Sequence, residues 1–352
     1  MPSPSAYAAI QARVRVMYST LLPEMEIVRL SETSDYNTLI AQLKLTPDAP
    51  YLDRAKDKEL DPRRAAFQLR QRLGEAYASV LSTAPKHTRG LLEQMYRRFE
   101  VDNLKGVLRG LVTGASWDRV RFVLFPLTTT DLPAQAMVEA GNMAAAVELL
   151  QGTPYYDTLS FAMKRFNAEQ NLFPLEVALD LAYWRRLWAE IKRLPRDDRA
   201  YALRVAGSLL DMNNVMWAIR YRVYYNLSEE ELINYTLPVG FRVRDDDIRS
   251  IAAGADLALV TGRIYPGLPD LQALFETPRQ GLPRLEKMLF QRVARECHAA
   301  FLGSPFHIGL LMGYLVLQEF EIQDLIVLLE AKATGAAESE FRPLLVAGGH
   351  LN

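Results

Sequence analysis

Three short stretches carry an acid followed three residues later by an amide or a second acid. They are "RRFEVDNLKGVLRG" (97–110), "SLLDMNNVMWAIRY" (208–221) and "QEFEIQDLIVLLEA" (318–331). On a helix, positions i and i+3 are neighbours. Glu100 with Asn103, Asp211 with Asn214, and Glu321 with Asp324 therefore form compact polar spots beside an apolar stripe such as Val101, Leu104, Leu108 and Leu111. Two chemistries fit such spots. They can hydrogen-bond to neighbouring segments and fix how helices pack. If the copies converge in space, they can form a carboxylate cluster that binds metal or moves protons. A half-buried acid left unpaired costs several kcal/mol, so each is expected to have partners.

Other reactive patterns are sparse. "RDDDIR" (244–249) holds three acids, Asp245, Asp246 and Asp247, and acidic clusters on helices can bind magnesium diphosphate in helical enzymes. Consecutive residues fan round a helix, however, and negative side chains also suit a helix N-terminus. His87, His298, His307 and His350 form no HxxxH pattern, and Cys297–His298 are sequence neighbours that a helix points apart. No nucleophile elbow and no phosphate-binding glycine loop is present. No catalytic, cofactor-binding or metal-ligating residue is assigned.

The elements that carry these residues are helical. Alternating Val/Ile/Thr runs are almost absent, whereas Val177, Leu181, Trp184, Trp188 and Ile191 step by four, three, four and three residues along one helix face. The 19 prolines and 19 glycines fall largely between such segments, as at "LTPDAP" (45–50), "QGTP" (151–154) and "YPGLP" (265–269). Gly106, Gly110 and Gly114 share one face and are expected to permit close helix approach. Ser116 and Ser228 are expected to cap the helices that follow them, Ser228 in a capping box with Glu231. The stretch 299–318 contains no Asp, Glu, Lys or Arg, but Gly303, Ser304, Pro305 and His307 interrupt it, which suits a core helix better than a membrane span.

The phrase belongs to a longer repeat. Glu100, Asp211 and Glu321 lie 111 and 110 residues apart, and Ser116 and Ser228 lie 112 apart, each ten residues before a proline, Pro126 or Pro238. Leu175–Glu176 and Leu285–Glu286 are separated by 110, and Pro47, Pro154 and Pro266 by 107 and 112. Independent landmarks with one period indicate an all-α chain of three divergent copies, at 1–130, 131–244 and 245–352. With 41 basic against 42 acidic side chains in 352 residues, no global field favours nucleic acid or an anionic membrane. The single cysteine excludes an intrachain disulfide framework and fits a reducing compartment. The N-terminal "MPSPSAYAAIQARVRV" lacks the apolar run of a secretory signal, so export is not expected.

Four segments carry a family resemblance: "YAAIQARVRVMYSTLL" (7–22), "EVALDLAYWRRL" (176–187), residues 209–240 and residues 306–332. Their order and spacing resemble the C subunit of V/A-type ATPases and ATP synthases, equivalent to the d subunit of the vacuolar enzyme. The resemblance implies a funnel-like, pseudo-threefold helical protein without catalytic residues or cofactors. It would join the central shaft to the membrane proteolipid ring on the cytoplasmic face and transmit torque for ion transport. The chain departs from the family at Gln323 and Ile326, where the third copy usually carries arginines, and at Glu330, which replaces the arginine seen at Arg109 and Arg220. Two other readings stay open: a helical scaffold of another complex, and an all-α magnesium-dependent enzyme using Asp245–Asp247.

Overall fold

The computed structural model describes residues 4–54, 60–127 and 132–347, so His350 lies outside the described residues. Among them every regular element is helical and no strand occurs, as the dominance of 3.6-residue spacing requires. After α1 (Pro4–Tyr18), the elements run three times through a similar series.

The first series is α2 (Glu24–Ser31), α3 (Tyr36–Leu43), α4 (Ala49–Leu52), α5 (Pro62–Thr83), α6 (Lys86–Val112) and α7 (Trp117–Val120). The second is α8 (Ala134–Val138), α9 (Met143–Glu148), α10 (Tyr156–Glu169), α11 (Phe173–Arg193), α12 (Arg196–Ala202), α13 (Ser208–Arg220) and α14 (Glu229–Asn234). Here α12 and α13 read as one long helix, joined through a π segment at Leu203–Gly207 and prolonged by another at Tyr221–Tyr225. The third is α15 (Asp245–Ala252), α16 (Leu257–Ile264), α17 (Leu271–Glu276), α18 (Pro278–Ala299), α19 (Ile308–Thr334) and α20 (Glu338–Phe341). In each series a run of shorter helices leads to two long ones and a short return helix.

The second short helix starts in the same way each time. The side chain of Asp35 accepts the Thr38 N–H (3.0 Å), Asn142 accepts the Ala145 N–H (2.9 Å), and Asp256 accepts the Leu259 N–H (2.9 Å). Such a cap satisfies one of the four donors that a helix start leaves orphaned, worth about 1 kcal/mol.

By contact density the chain divides into two compact units. One comprises the described parts of Met1–Ala49, Thr83–Pro85 and Ile191–Asn352; the other comprises those of Pro50–Ser82 and Lys86–Glu190. In the second unit α6 packs on α7, α8 and α9. Tyr77 of α5 meets Tyr96 and Phe99 of α6, with ring centroids 5.2 and 5.5 Å apart, and Phe99 stacks on Phe125 at 4.0 Å. In the first unit α19 lies against α1, α2, α3, α12 and α18, while α13 packs on α15 and α18. The long polar-spot helix of each series thus packs on the short helices that open another: α6 on α8 and α9, α13 on α15, α19 on α2 and α3.

The charge-free stretch 299–318 is core only from His307 onward, since Leu302, Gly303 and Ser304 are exposed. Every residue from His307 to Ile322 is buried, and no helix among the described residues is long and apolar enough to cross a membrane. On α11, Val177, Leu181, Trp184 and Ile191 are buried as their spacing predicts, whereas Trp188 is only half-buried. Trp184→Ala should therefore destabilise the fold by about 3–5 kcal/mol. Urea unfolding measures this, and a loss below about 1 kcal/mol would contradict core placement of that face.

Candidate functional site

The three polar spots sit near the middle of the long helices, and each closes a chain segment about 22 residues downstream. Asn103 donates through Nδ2 to the Phe125 carbonyl (2.9 Å) and accepts the Phe125 N–H (2.7 Å). Asn214 repeats the arrangement on Leu237, donating to its carbonyl (2.8 Å) and accepting its N–H (2.8 Å). An amide side chain carries both a donor and an acceptor, so one Asn satisfies both backbone groups of one residue. Phe125 and Leu237 each precede a proline, which disfavours the helical region and keeps the held residue extended. In the third series the amide is replaced. Asp324 cannot donate when ionised, and its two oxygens accept the N–H groups of Val346 and Ala347, both at 2.7 Å.

The acids one turn earlier bind elsewhere. Glu100 accepts the Tyr155 hydroxyl, Asp211 accepts the N–H groups of Phe241 (2.8 Å), Arg242 (2.5 Å) and Val243 (3.3 Å), and Glu321 accepts the Leu22 N–H. Glu100 and Glu321 therefore reach a segment of another series, the second from the first and the first from the third, while Asp211 holds the 241–243 segment that leads into α15. Each spot joins its own return segment to chain at or just before the opening of another series. Gly240 permits the closest of these approaches, since a Cβ there would stand 2.5 Å from both Asp211 Oδ1 and the Val243 carbonyl oxygen.

The long helices are tied forward at their C-terminal ends as well. Arg109 makes a bidentate pair with Glu176 (2.6 and 2.9 Å), and Arg220 reaches Glu286 at 2.8 Å. These are the acids of the repeated Leu-Glu landmark. Arg109 is well exposed and Arg220 partly so, and each pair contributes about 1 kcal/mol and serves more to set register than to hold the fold. The third long helix carries Glu330 at this place, and Gln323 bonds to Glu319 one turn back (3.0 Å).

The remaining candidates are kept apart. Asp245 pairs with Arg249 (2.6 Å), buried Asp247 pairs with Arg263 (2.6 Å) and accepts the Arg244 N–H (2.9 Å), and Asp246 faces solvent. They serve the start of α15 and do not share a face. Cys297 is fully buried and its thiol is pushed up by burial, while His298 Nδ1 lies 2.8 Å from the Tyr18 hydroxyl. Buried His307 stacks on the Tyr201 ring at 3.5 Å. Among the described residues no group of three or more His, Cys, Asp or Glu is placed to hold a metal ion.

Two expectations need correction. Ser228 forms the capping box with Glu231, but the Ser116 side chain caps nothing; its backbone carbonyl accepts the Arg119 and Val120 N–H groups instead. Gly106 and Gly110 do face close neighbours, with Leu124 and Val120 side-chain atoms 3.1 and 2.6 Å from a built Cβ. Gly114 instead ends α6 in the left-handed region at φ 64°, with nothing packed against it.

Burial outweighs the three N–H donors at Asp211 and pushes its carboxyl up to about 6. A folded-state value above the unfolded one means that the folded chain binds the extra proton between about pH 4 and 6, so stability falls as pH rises through that window. Asp211→Asn should flatten that slope in a melting series; an unaltered slope would contradict the assignment. Asn214→Leu should cost about 2–4 kcal/mol by stranding the Leu237 N–H and carbonyl in a buried place. A urea midpoint equal to that of the unaltered chain would show those groups to be solvated.

The sequence profile of the family described as ATP synthase (C/AC39) subunit matches residues 10–343. The chain is similar to the C subunit of the A-type ATP synthase of Methanocaldococcus jannaschii, with 22% identity over 349 residues covering 97% of this chain and 86% of the relative. It is similar to that of Methanothermobacter thermautotrophicus, with 26% identity over 333 residues covering 93% and 84%. A third relative, the same protein of Methanobrevibacter smithii, is 24% identical over 347 residues, covering 97% and 88%.

Proposed function

Because the chain belongs to the ATP synthase (C/AC39) subunit family, we propose that it is a non-catalytic subunit of a rotary V/A-type ATP synthase that joins the central shaft to the membrane proteolipid ring. In this role it passes torque between ATP chemistry in the soluble head and ion movement through the membrane, and it sits peripherally on the cytoplasmic face. The observation that carries the reading is the full-length match in order and spacing, which a shared short motif would not produce.

The physical arrangement supports it. A torque-bearing connector needs little internal compliance, and close-packed helices tied by hydrogen bonds from Asn103, Asn214, Asp211 and Asp324 support that. The chain consists, on this reading, of three copies of one helical unit, at 1–130, 131–244 and 245–352, joined by the acid contacts and the Arg109–Glu176 and Arg220–Glu286 pairs. The polar spots are then joints, and the acids at 245–247 are helix-start charges.

Affinity capture of the tagged chain from detergent-solubilised native membranes tests this. Co-purification with head, shaft and proteolipid subunits is the expected result. A stable complex lacking all of them would overturn the proposal in favour of a scaffold elsewhere. A magnesium-dependent activity abolished by alanine at Asp245–Asp247 would overturn the non-catalytic assignment.

A further inference from the structure

Beside the Asp211 joint the charges are unevenly gathered. Glu296 on α18 accepts Arg204 Nε (2.8 Å) from the π segment and Arg242 (3.4 Å) from the segment before α15. Arg292 stands one turn earlier on the same helix, and Arg295 directly precedes Glu296. Arg292 donates to the Pro266 carbonyl (3.1 Å), and Arg295 makes no hydrogen bond or ion pair among the described residues. Four guanidiniums thus share one bonded carboxylate, in a chain whose totals are 41 basic against 42 acidic side chains.

These arginines are also braced. The guanidinium carbon of Arg242 stands 5.5 Å from the Phe241 ring centroid, and that of Arg292 stands 5.8 Å from the ring of buried Tyr265. Arg242, Arg292 and half-buried Glu296 border one small recess together with Ser208. Ring and carboxylate hold the guanidinium forks before any ligand arrives, which lowers the entropy cost of binding. Gathering like charges is unfavourable by itself: burial, Arg242 and Arg295 all lower the proton affinity of Arg292. An incoming carboxylate offsets that repulsion and fits a guanidinium through two parallel hydrogen bonds.

We propose that this arginine cluster docks an acidic segment of a partner protein, one that brings several carboxylates to Arg242, Arg292 and Arg295. The proposal rests on the rotary-subunit reading and gives the chemistry of one partner surface. Charge complementarity is the reason for an anionic partner. Other anionic surfaces fit less well. No large apolar side chain is exposed among residues 203–208, 241–244 and 292–299, so a bilayer would gain no inserted anchor there. Nucleic acid is bound along a track of basic groups, whereas these four meet at a single spot.

Photo-crosslinking in native membranes tests this. The probe p-benzoylphenylalanine replaces half-buried Ala299, one turn beyond Arg295 on α18, in the tagged full-length chain, and adducts are mapped by mass spectrometry. The expected adduct is a protein peptide with a run of Asp and Glu. Combining Arg292→Glu with Arg295→Glu should lower its yield at least about tenfold at an unchanged melting temperature. If that double variant fails to fold, salt takes its place: the yield should fall steeply between about 0.05 and 0.5 M sodium chloride. No adduct, an adduct with a peptide poor in acids, with lipid or with nucleic acid, or a yield indifferent to charge reversal and salt would overturn the proposal. Co-purification of head, shaft and proteolipid subunits without such an adduct would remove this surface and leave the rotary reading intact. An acidic adduct peptide from a protein of another complex would do the opposite.

Discussion

A polar side chain halfway along a buried helix must find partners, and in this chain it finds them in the backbone of a returning segment. Asn103 and Asn214 each take up the N–H and the carbonyl of one pre-proline residue, and Asp324 takes two successive N–H groups. An exposed loop can leave its backbone to water; a buried return segment cannot. The amide on the long helix is what lets the chain turn back across the helix without losing hydrogen bonds. The acid one turn earlier then fastens chain at or just before the opening of another series to the same face.

This constraint explains why the phrase recurs while its surroundings drift. The apolar neighbours can exchange size for size as long as volume is kept. The donor–acceptor pattern cannot, because each change strands a buried group. The one permitted variation is Asn to Asp in the third series, where the held segment offers two donors in place of a donor and an acceptor. The arginine ties at the helix ends are more exposed, worth less, and are lost at Glu330.

Much of this was legible in the residues. The helical class, most of the buried face of α11, the capping box at Ser228 and the core character of the apolar run from His307 to Gln318 all follow from spacing and local chemistry. The meeting of Asn103 with Phe125 and of Asn214 with Leu237 did not, although its ingredients were visible: an amide, then a proline 23 or 24 residues later, twice over. Sequence spacing reports which residues share a helix face, not which loop returns to it. Trp188 illustrates the same limit, since periodicity gives its direction and the half-cover over it depends on tertiary packing. Ser116 shows the weakness of a local signal alone, because a serine before a helix can cap it and here its backbone does the work. The two compact units also could not be read from the period, because the long helices pack across the boundaries between series.

A repeated joint of this kind suits a part that transmits force, since its polar groups hold segments together. The most direct test is hydrogen exchange of the Phe125 and Leu237 amides in the intact chain. The account predicts protection equal to that of the central amides of α6 and α13, since release of either loop residue requires breaking a buried side-chain bond. Exchange at the rate of an unprotected loop would contradict it.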